Sequence, residues 1–209
     1  MPRQALRLSE RHSAETRAVL VRVARGMFTT RGYQATSVDE IVEQARVSKG
    51  ALYHHFKSKE ELFEAVFRDV GIELNLRLQA EIASAISPDP WTKMIASAIA
   101  HVDAAAEDST FRQIFLLDGP AVLGWPRWRE IQASTWLESV EIMFAEFMST
   151  GAIRAMPVRE LVQVIVAALN ESVMIVANAE DRDAARQAMR TVVTALLDGL
   201  RVPPKRRSR

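Results

Sequence analysis

Helix signals recur from one end of this chain to the other, and no run of alternating β-branched and polar residues competes with them. Ala, Leu, Glu, Arg, Gln and Met dominate, so the chain is read as all-α. The starts are marked locally. Ser37-x-x-Glu40 has the spacing of a capping box, and the same spacing recurs at Ser58-x-x-Glu61. A first helix is predicted over 13–30, with Leu20, Val23, Ala24, Met27 and Phe28 on one side and Gly32 ending it. A short second helix carries Val38, Ile41, Val42 and Ala45 as one apolar stripe. A third starts at Ser48, where Val47 and Leu52 occupy the positions of a hydrophobic staple, and ends near Phe56. A fourth, over 58–85, would be roughly 40 Å long, too long to serve only the residues before it, and reads as a connecting rod. Further helices are predicted over 91–107, across a stretch interrupted by Asp118-Gly119-Pro120, from Pro126 to Thr150, and over 158–178 and 183–201.

Two short helices joined by Arg46-Val47-Ser48 fit a helix-turn-helix. Ala45 is small where the helices cross, and Val47 plugs the gap between them. Leu52 and Phe56 are expected to face the core, which leaves Lys49, Tyr53, His54 and His55 toward a major groove about 12 Å wide. Gly50 costs about 1 kcal/mol relative to Ala in a helix, a cost that close backbone approach to a duplex could offset.

The stretch from Thr36-Ser37-Val38-Asp39-Glu40-Ile41-Val42 through Val47-Ser48-Lys49-Gly50-Ala51-Leu52-Tyr53-His54-His55-Phe56-Lys57-Ser58-Lys59-Glu60-Glu61-Leu62 resembles the DNA-binding domain of the TetR family of transcriptional repressors, and Met27-Phe28 with Gly32-Tyr33 resembles the end of that family's first helix. The resemblance covers about residues 15–65. It implies a homodimer of nine or ten helices per chain, a three-helix head on a body that binds a small molecule and thereby releases DNA. By position it implies DNA-binding roles for Thr36, Arg46, Ser48, Lys49, Gly50, Tyr53, His54, His55 and Lys59, with Thr36 and Lys59 on phosphates and Lys49 and Gly50 nearest the bases. Arg46 departs from the family's frequent Gly, at a cost of about 1 kcal/mol if its φ is positive. The expected domains are a head over 1–60, a ligand-binding and dimerisation body over 61–202 and a basic, disordered tail over 203–209.

Charge follows the same division. The net charge of +1 splits into +5 over 1–60, −8 over 61–202 and +4 over 203–209, so a polyanion partner is expected for the head. The chain has no Cys, which removes disulfides, a thiol nucleophile, iron–sulfur clusters and zinc fingers. His12, His54, His55 and His101 show no His-Glu-x-x-His spacing, and neither a Gly-x-Ser-x-Gly elbow nor a phosphate-cradling Gly-rich loop is present. No enzyme activity, metal or cofactor is therefore expected. The charged opening segment leads into Ser9-Glu10-Arg11-His12, with no apolar core of a signal peptide. The most apolar stretch, 161–176, is cut by Gln163, Asn170 and Glu171, so no membrane span is expected and the location is read as cytoplasmic.

In the body, the apolar positions Leu161, Ile165, Leu169, Val173 and Val176, with Met189, Val193, Leu196 and Leu200 on the last helix, are read as a dimer interface. Candidate ligand-binding residues are Phe111, Phe115, Trp125, Trp128, Trp136, Met143, Phe144, Phe147 and Met174, with His101, Asp118 and Asn170 as polar groups. The expected function is a repressor on a palindromic operator in double-stranded DNA, released by a small hydrophobic or aromatic effector. The alternative is a DNA-binding architectural or protein-interaction module without an effector.

Overall fold

The structure is a computed structural model. It describes residues 2–84 and 87–202, with side chains from Arg11 onward. The expected basic tail, 203–209, lies outside the described residues. These form nine α-helices: α1 (Pro2–Arg31), α2 (Val38–Ala45), α3 (Lys49–His55), α4 (Lys59–Ser84), α5 (Pro90–Glu107), α6 (Gly119–Gln132), α7 (Glu138–Ser149), α8 (Val158–Asn178) and α9 (Arg182–Asp198). Two π-helical stretches, Phe111–Asp118 and Ala133–Leu137, lead straight into α6 and α7. The sole β pairing among the described residues is an isolated bridge between Ile153 and Arg201. α1 begins at Pro2, well before the predicted start, with proline at a position where its missing N–H is tolerated.

Local chemistry sets the element ends. Ser37 caps α2 with the complete reciprocal box: its hydroxyl accepts from Glu40 N–H at 3.2 Å and its own N–H donates to Glu40 Oε2 at 2.9 Å. Ser58 accepts from Glu61 N–H at 3.1 Å, but Glu61 Oε2 takes the N–H of Lys57 instead of Ser58. Asp89 and Asp181 cap α5 and α9. Asp118-Gly119-Pro120 does not stop a helix as the sequence predicts. Gly119 is right-handed helical, and the π-helical turns before it carry the chain into α6. The break falls later, at Gly124 (φ 71°, ψ 157°) ahead of Pro126.

The chain divides into two compact units. The first comprises residues 1–71 and 109–131, so the segment from Ser109 to Ile131 belongs with the head. Its core takes Leu20, Ala24 and Phe28 from α1, Ile41 from α2, Leu52 and Phe56 from α3, and Leu62, Phe63, Val66 and Phe67 from α4, all buried. Phe67 and Phe115 stack at 4.7 Å, and Phe115 stacks on Phe111 at 5.1 Å. The second unit comprises 72–108 and 132–209, with α5 packed on α8 and α9, and α8 also on α7. α4 is unbroken and contributes to both units.

α8 bears on the expectation of no membrane span. By length and composition it is long and apolar enough to cross a membrane, with mean hydropathy 1.7. Scattered Gln163, Asn170 and Glu171 do not lower that average enough. Within the chain one side of it is packed: Val162, Val166, Ser172, Val173 and Val176 are buried, while Val164 and Ile175 are exposed.

Candidate nucleic-acid interface and ligand cavity

α3 is a two-sided helix. Leu52 and the following Phe56 are buried, while Lys49, Gly50, Tyr53 and His54 are exposed. Ser48 caps its start by accepting from Ala51 N–H at 3.1 Å. His55 is half-buried under His54, and burial, His54 and Arg17 together push its pKa down. The cations on this face are unequally committed. Lys49 Nζ pairs with Asp39 at 2.7 Å, which raises its pKa, and Arg31 pairs with Glu40 at 2.8 Å. Arg46 and Lys57 are exposed, with no acid within ion-pair distance among the described residues.

Arg46 closes α2 in a left-handed conformation (φ 56°, ψ 40°). Its N–H donates to Glu43 O at 3.1 Å and the N–H of Val47 to Val42 O at 3.0 Å, the paired bonds of a Schellman ending. Glycine is the usual occupant of that position, so the sequence departure falls on a strained residue.

Thr36 and Lys59 are turned inward. The Thr36 hydroxyl is buried and donates to Gly32 O at 2.9 Å, leaving Ser37 as the exposed hydroxyl at the start of α2. Lys59 Nζ donates to Tyr33 O at 2.8 Å and Thr36 O at 2.9 Å, and sits 3.9 Å above the Tyr33 ring. Burial lowers its pKa against the opposing influence of Asp118. Asp118 accepts from Tyr33 N–H at 2.8 Å, so the turn from Gly32 to Thr36 is held by Lys59 from one side and by Asp118 from another. Gly32, at φ 77°, lets the two segments meet: a Cβ there would lie 3.2 Å from Gln113 Nε2.

The second unit holds a cavity of about 80 Å³. Leu74, Leu78 and Ile82 line it from α4, Met94, Ser97, Ala98 and His101 from α5, and Trp136 from the second π-helical stretch. Val140, Met143 and Phe144 follow from α7, Ile165, Val166, Leu169 and Asn170 from α8, and Leu197 from α9. His101 is buried, and desolvation followed by the charge of Arg77 pushes its pKa down to about 4. The imidazole is therefore neutral at physiological pH.

Residues 20–66 match the model described as bacterial regulatory proteins of the tetR family, and residues 91–200 match the tetracyclin repressor-like C-terminal domain. The second match alone takes in more than half of the chain. The chain belongs to the TetR family. A TetR-family regulator from Pectobacterium atrosepticum is 32% identical, with a TM-score of 0.74 over 93% of this chain and 98% of that one. RolR, solved in complex with resorcinol, is 20% identical with a TM-score of 0.67 over 93% and 97%. Among curated proteins, the transcriptional repressor KstR2 of Mycolicibacterium smegmatis is 44% identical over 75 residues, 36% of this chain and 37% of its own. The match thus spans little more than a third of that repressor's length.

Within this TetR-family chain, the anticipated ligand residues fall into separate places. His101, Trp136, Met143, Phe144 and Asn170 line the cavity. Phe111, Phe115, Asp118, Trp125 and Trp128 lie in the other unit, where the phenylalanines stack in the core and Arg129 lies over both indoles at 4.6 and 5.0 Å. Phe147 packs edge-on to Trp91, and Met174 is outside the lining. The anticipated dimer residues also divide. Ile165 and Leu169 line the cavity, and Val173, Val176 and Val193 are buried within the chain. Leu161, Met189 and Leu200 are partly exposed and Leu196 is exposed. The exposed large apolar side chains of α8 and α9 are Val164, Ile175, Val192 and Leu196. Among the described residues, no cluster of His, Asp and Glu has the arrangement of a metal site.

Proposed function

We propose that the chain is a ligand-responsive transcriptional repressor, acting in the cytoplasm, that binds a palindromic operator as a homodimer and is released by a small hydrophobic or aromatic effector. The observation that carries the reading is the division of α3, with Lys49, Gly50, Tyr53 and His54 outside and Leu52 and Phe56 inside. Base contacts are assigned to Lys49, Gly50, Tyr53 and His54, with His55 at the margin, and phosphate contacts to Arg46 and the exposed start of α3 at Ser48. Lys59 and Thr36 act by holding the turn that precedes α2. Dimerisation is assigned to α8 and α9 through Val164, Ile175, Val192 and Leu196, a face with no occupant among the described residues.

The cavity supports effector binding, and α4 supports the coupling. Leu74, Leu78 and Ile82 of its second half line the cavity, while its first turn holds Lys59. A ligand that favours a displaced α4 shifts the population toward heads wrongly spaced for adjacent half-sites. A tenfold loss of operator affinity needs about 1.4 kcal/mol of differential effector binding. The test is a mobility shift with the DNA upstream of the chain's own coding sequence, with and without lipophilic compounds. Binding that a compound releases is expected. Binding that no compound alters would favour an effector-free module, and no specific binding would overturn the proposal.

A further inference from the structure

The first unit carries a second cationic surface beside α3. A groove runs along α1 next to Asp69 of α4, and Arg17, Arg22 and Arg25 of α1 line it. Ala14 and Ala18 lie between the arginines, and side chains of one methyl keep the trough open. Three arginines against the single carboxylate of Asp69 leave the lining strongly positive. Arg25 is half-buried and already engaged within the chain. Arg17 and Arg22 are exposed, with no acid within ion-pair distance among the described residues.

Arg17 ties this groove to α3. Its guanidinium lies over the ring of Phe56, the residue that closes α3, at 5.0 Å from the ring centre. Its charge also reaches His55 in the last turn of that helix. Held over a ring, with no carboxylate to occupy its N–H groups, a guanidinium presents the planar fork that matches two phosphate oxygens. The ring contact sets the side chain in place before a duplex arrives, so less rotamer freedom is lost on contact. Arg31 and Lys49 differ in this respect, since Glu40 and Asp39 already occupy them.

Resting on the reading of α3 as the DNA-recognition helix, we propose that this groove is a further, sequence-independent DNA site, in which Arg17 and Arg22 hold backbone phosphates of the duplex beyond the bases that α3 reads. The ligand is a phosphodiester strand. A free phosphate would meet only solvent-screened arginines, whereas docking of α3 delivers the backbone to Arg17 at high local concentration. The contacts add affinity and register without base preference.

The test is DNA binding by the full chain over a salt series, with ethylation interference to map the phosphates that matter. Arg17→Gln and Arg22→Gln remove the charge and keep a polar side chain. Each is expected to weaken binding roughly 3- to 10-fold at about 0.1 M salt, equally on operator and on unrelated duplex, and to lower the slope of log affinity against log salt by about one. Ethylation of at least one phosphate should hinder the wild type and no longer hinder Arg17→Gln. A variant that is merely misfolded binds less without releasing a single phosphate position. Arg22→Gln leaves the Phe56 ring contact intact and carries both measurements if Arg17→Gln fails to fold. An unchanged slope in either folded variant, or a phosphate pattern identical to wild type, overturns the proposal. A wild type that prefers the operator while both variants keep its slope removes the groove alone; a wild type with no such preference removes the reading of α3 and this site with it.

Discussion

Arg46 occupies a backbone conformation that side chains avoid, at the point where α2 hands over to α3. A left-handed L-residue costs roughly 1–2 kcal/mol, so glycine there should be better for stability. The side chain is exposed and unpaired by the described acids, the state a phosphate ligand requires. Two substitutions separate the contributions. Arg46→Gly should stabilise the chain by about 0.5–1 kcal/mol, less than the strain because glycine is freer when unfolded. It should also lower the slope of log affinity against log salt by about one. Arg46→Ala should lower the slope equally with no gain in stability. Denaturant melts and binding titrations over a salt series measure both, and an unchanged slope in the two variants would remove Arg46 from the DNA contacts. Glu40 makes a separate prediction by pH. Hydrogen bonds from Arg31 and then Ser37 lower its pKa from 4.5 to about 2 in the folded chain. Between those values the unfolded chain binds a proton that the folded chain lacks. Its stabilisation is therefore present above pH 4.5 and is lost as pH falls toward 2. Acid unfolding curves of Glu40→Gln should be flatter than wild type in that window.

At the scale of elements, the helices that are legible in sequence are those set by their own residues. The box at Ser37 and Glu40, the cap at Ser48 and the inward turn of Leu52 and Phe56 follow from spacing alone, and all are present. What could not be read depends on distant partners. Gly119 looks like part of a helix stop, yet it is helical, and its reason is Phe67: a Cβ at 119 would lie 2.6 Å from the Phe67 ring and 3.1 Å from Ile114 O. Gly119→Ala should destabilise by about 1–3 kcal/mol, because the ring is fully buried and stacked on Phe115. Phe67→Leu should make the added methyl less costly, a coupling that a double-mutant cycle in denaturant detects; additive effects would remove the contact as the cause. The cavity was legible only in part, through His101, Trp136, Met143, Phe144 and Asn170, for a related reason. Clustered aromatics suggest a pocket, but Phe111 and Phe115 satisfy one another by stacking, and much of the lining comes from aliphatic residues of α4, α5 and α8. A sequence pattern marks a face as apolar without saying whether side chains or empty space lie against it.

At the scale of the molecule, the same ambiguity decides which side of α8 and α9 meets a partner. An almost uniformly apolar helix has no register in its sequence, so Val173, Val176 and Val193 look as fit for a dimer face as Val164, Ile175, Val192 and Leu196. Burial separates them: the first three are 0–3% exposed, the latter four 41–68%. A charge on the buried set should unfold the chain, whereas a charge on the exposed set should leave it folded, since surface substitutions stay within about 0.5 kcal/mol. Leu196→Glu is therefore the informative change. In the proposed dimer it would put two like charges into one shared face, and sedimentation is expected to find the wild type dimeric and the variant monomeric. One head on one half-site forfeits the effective concentration supplied by its neighbour, so operator affinity should fall by about 100-fold or more while circular dichroism stays native. A folded Leu196→Glu chain that still dimerises would place the subunit contact elsewhere. A monomeric one that still holds the full operator at wild-type affinity would remove the need for two heads.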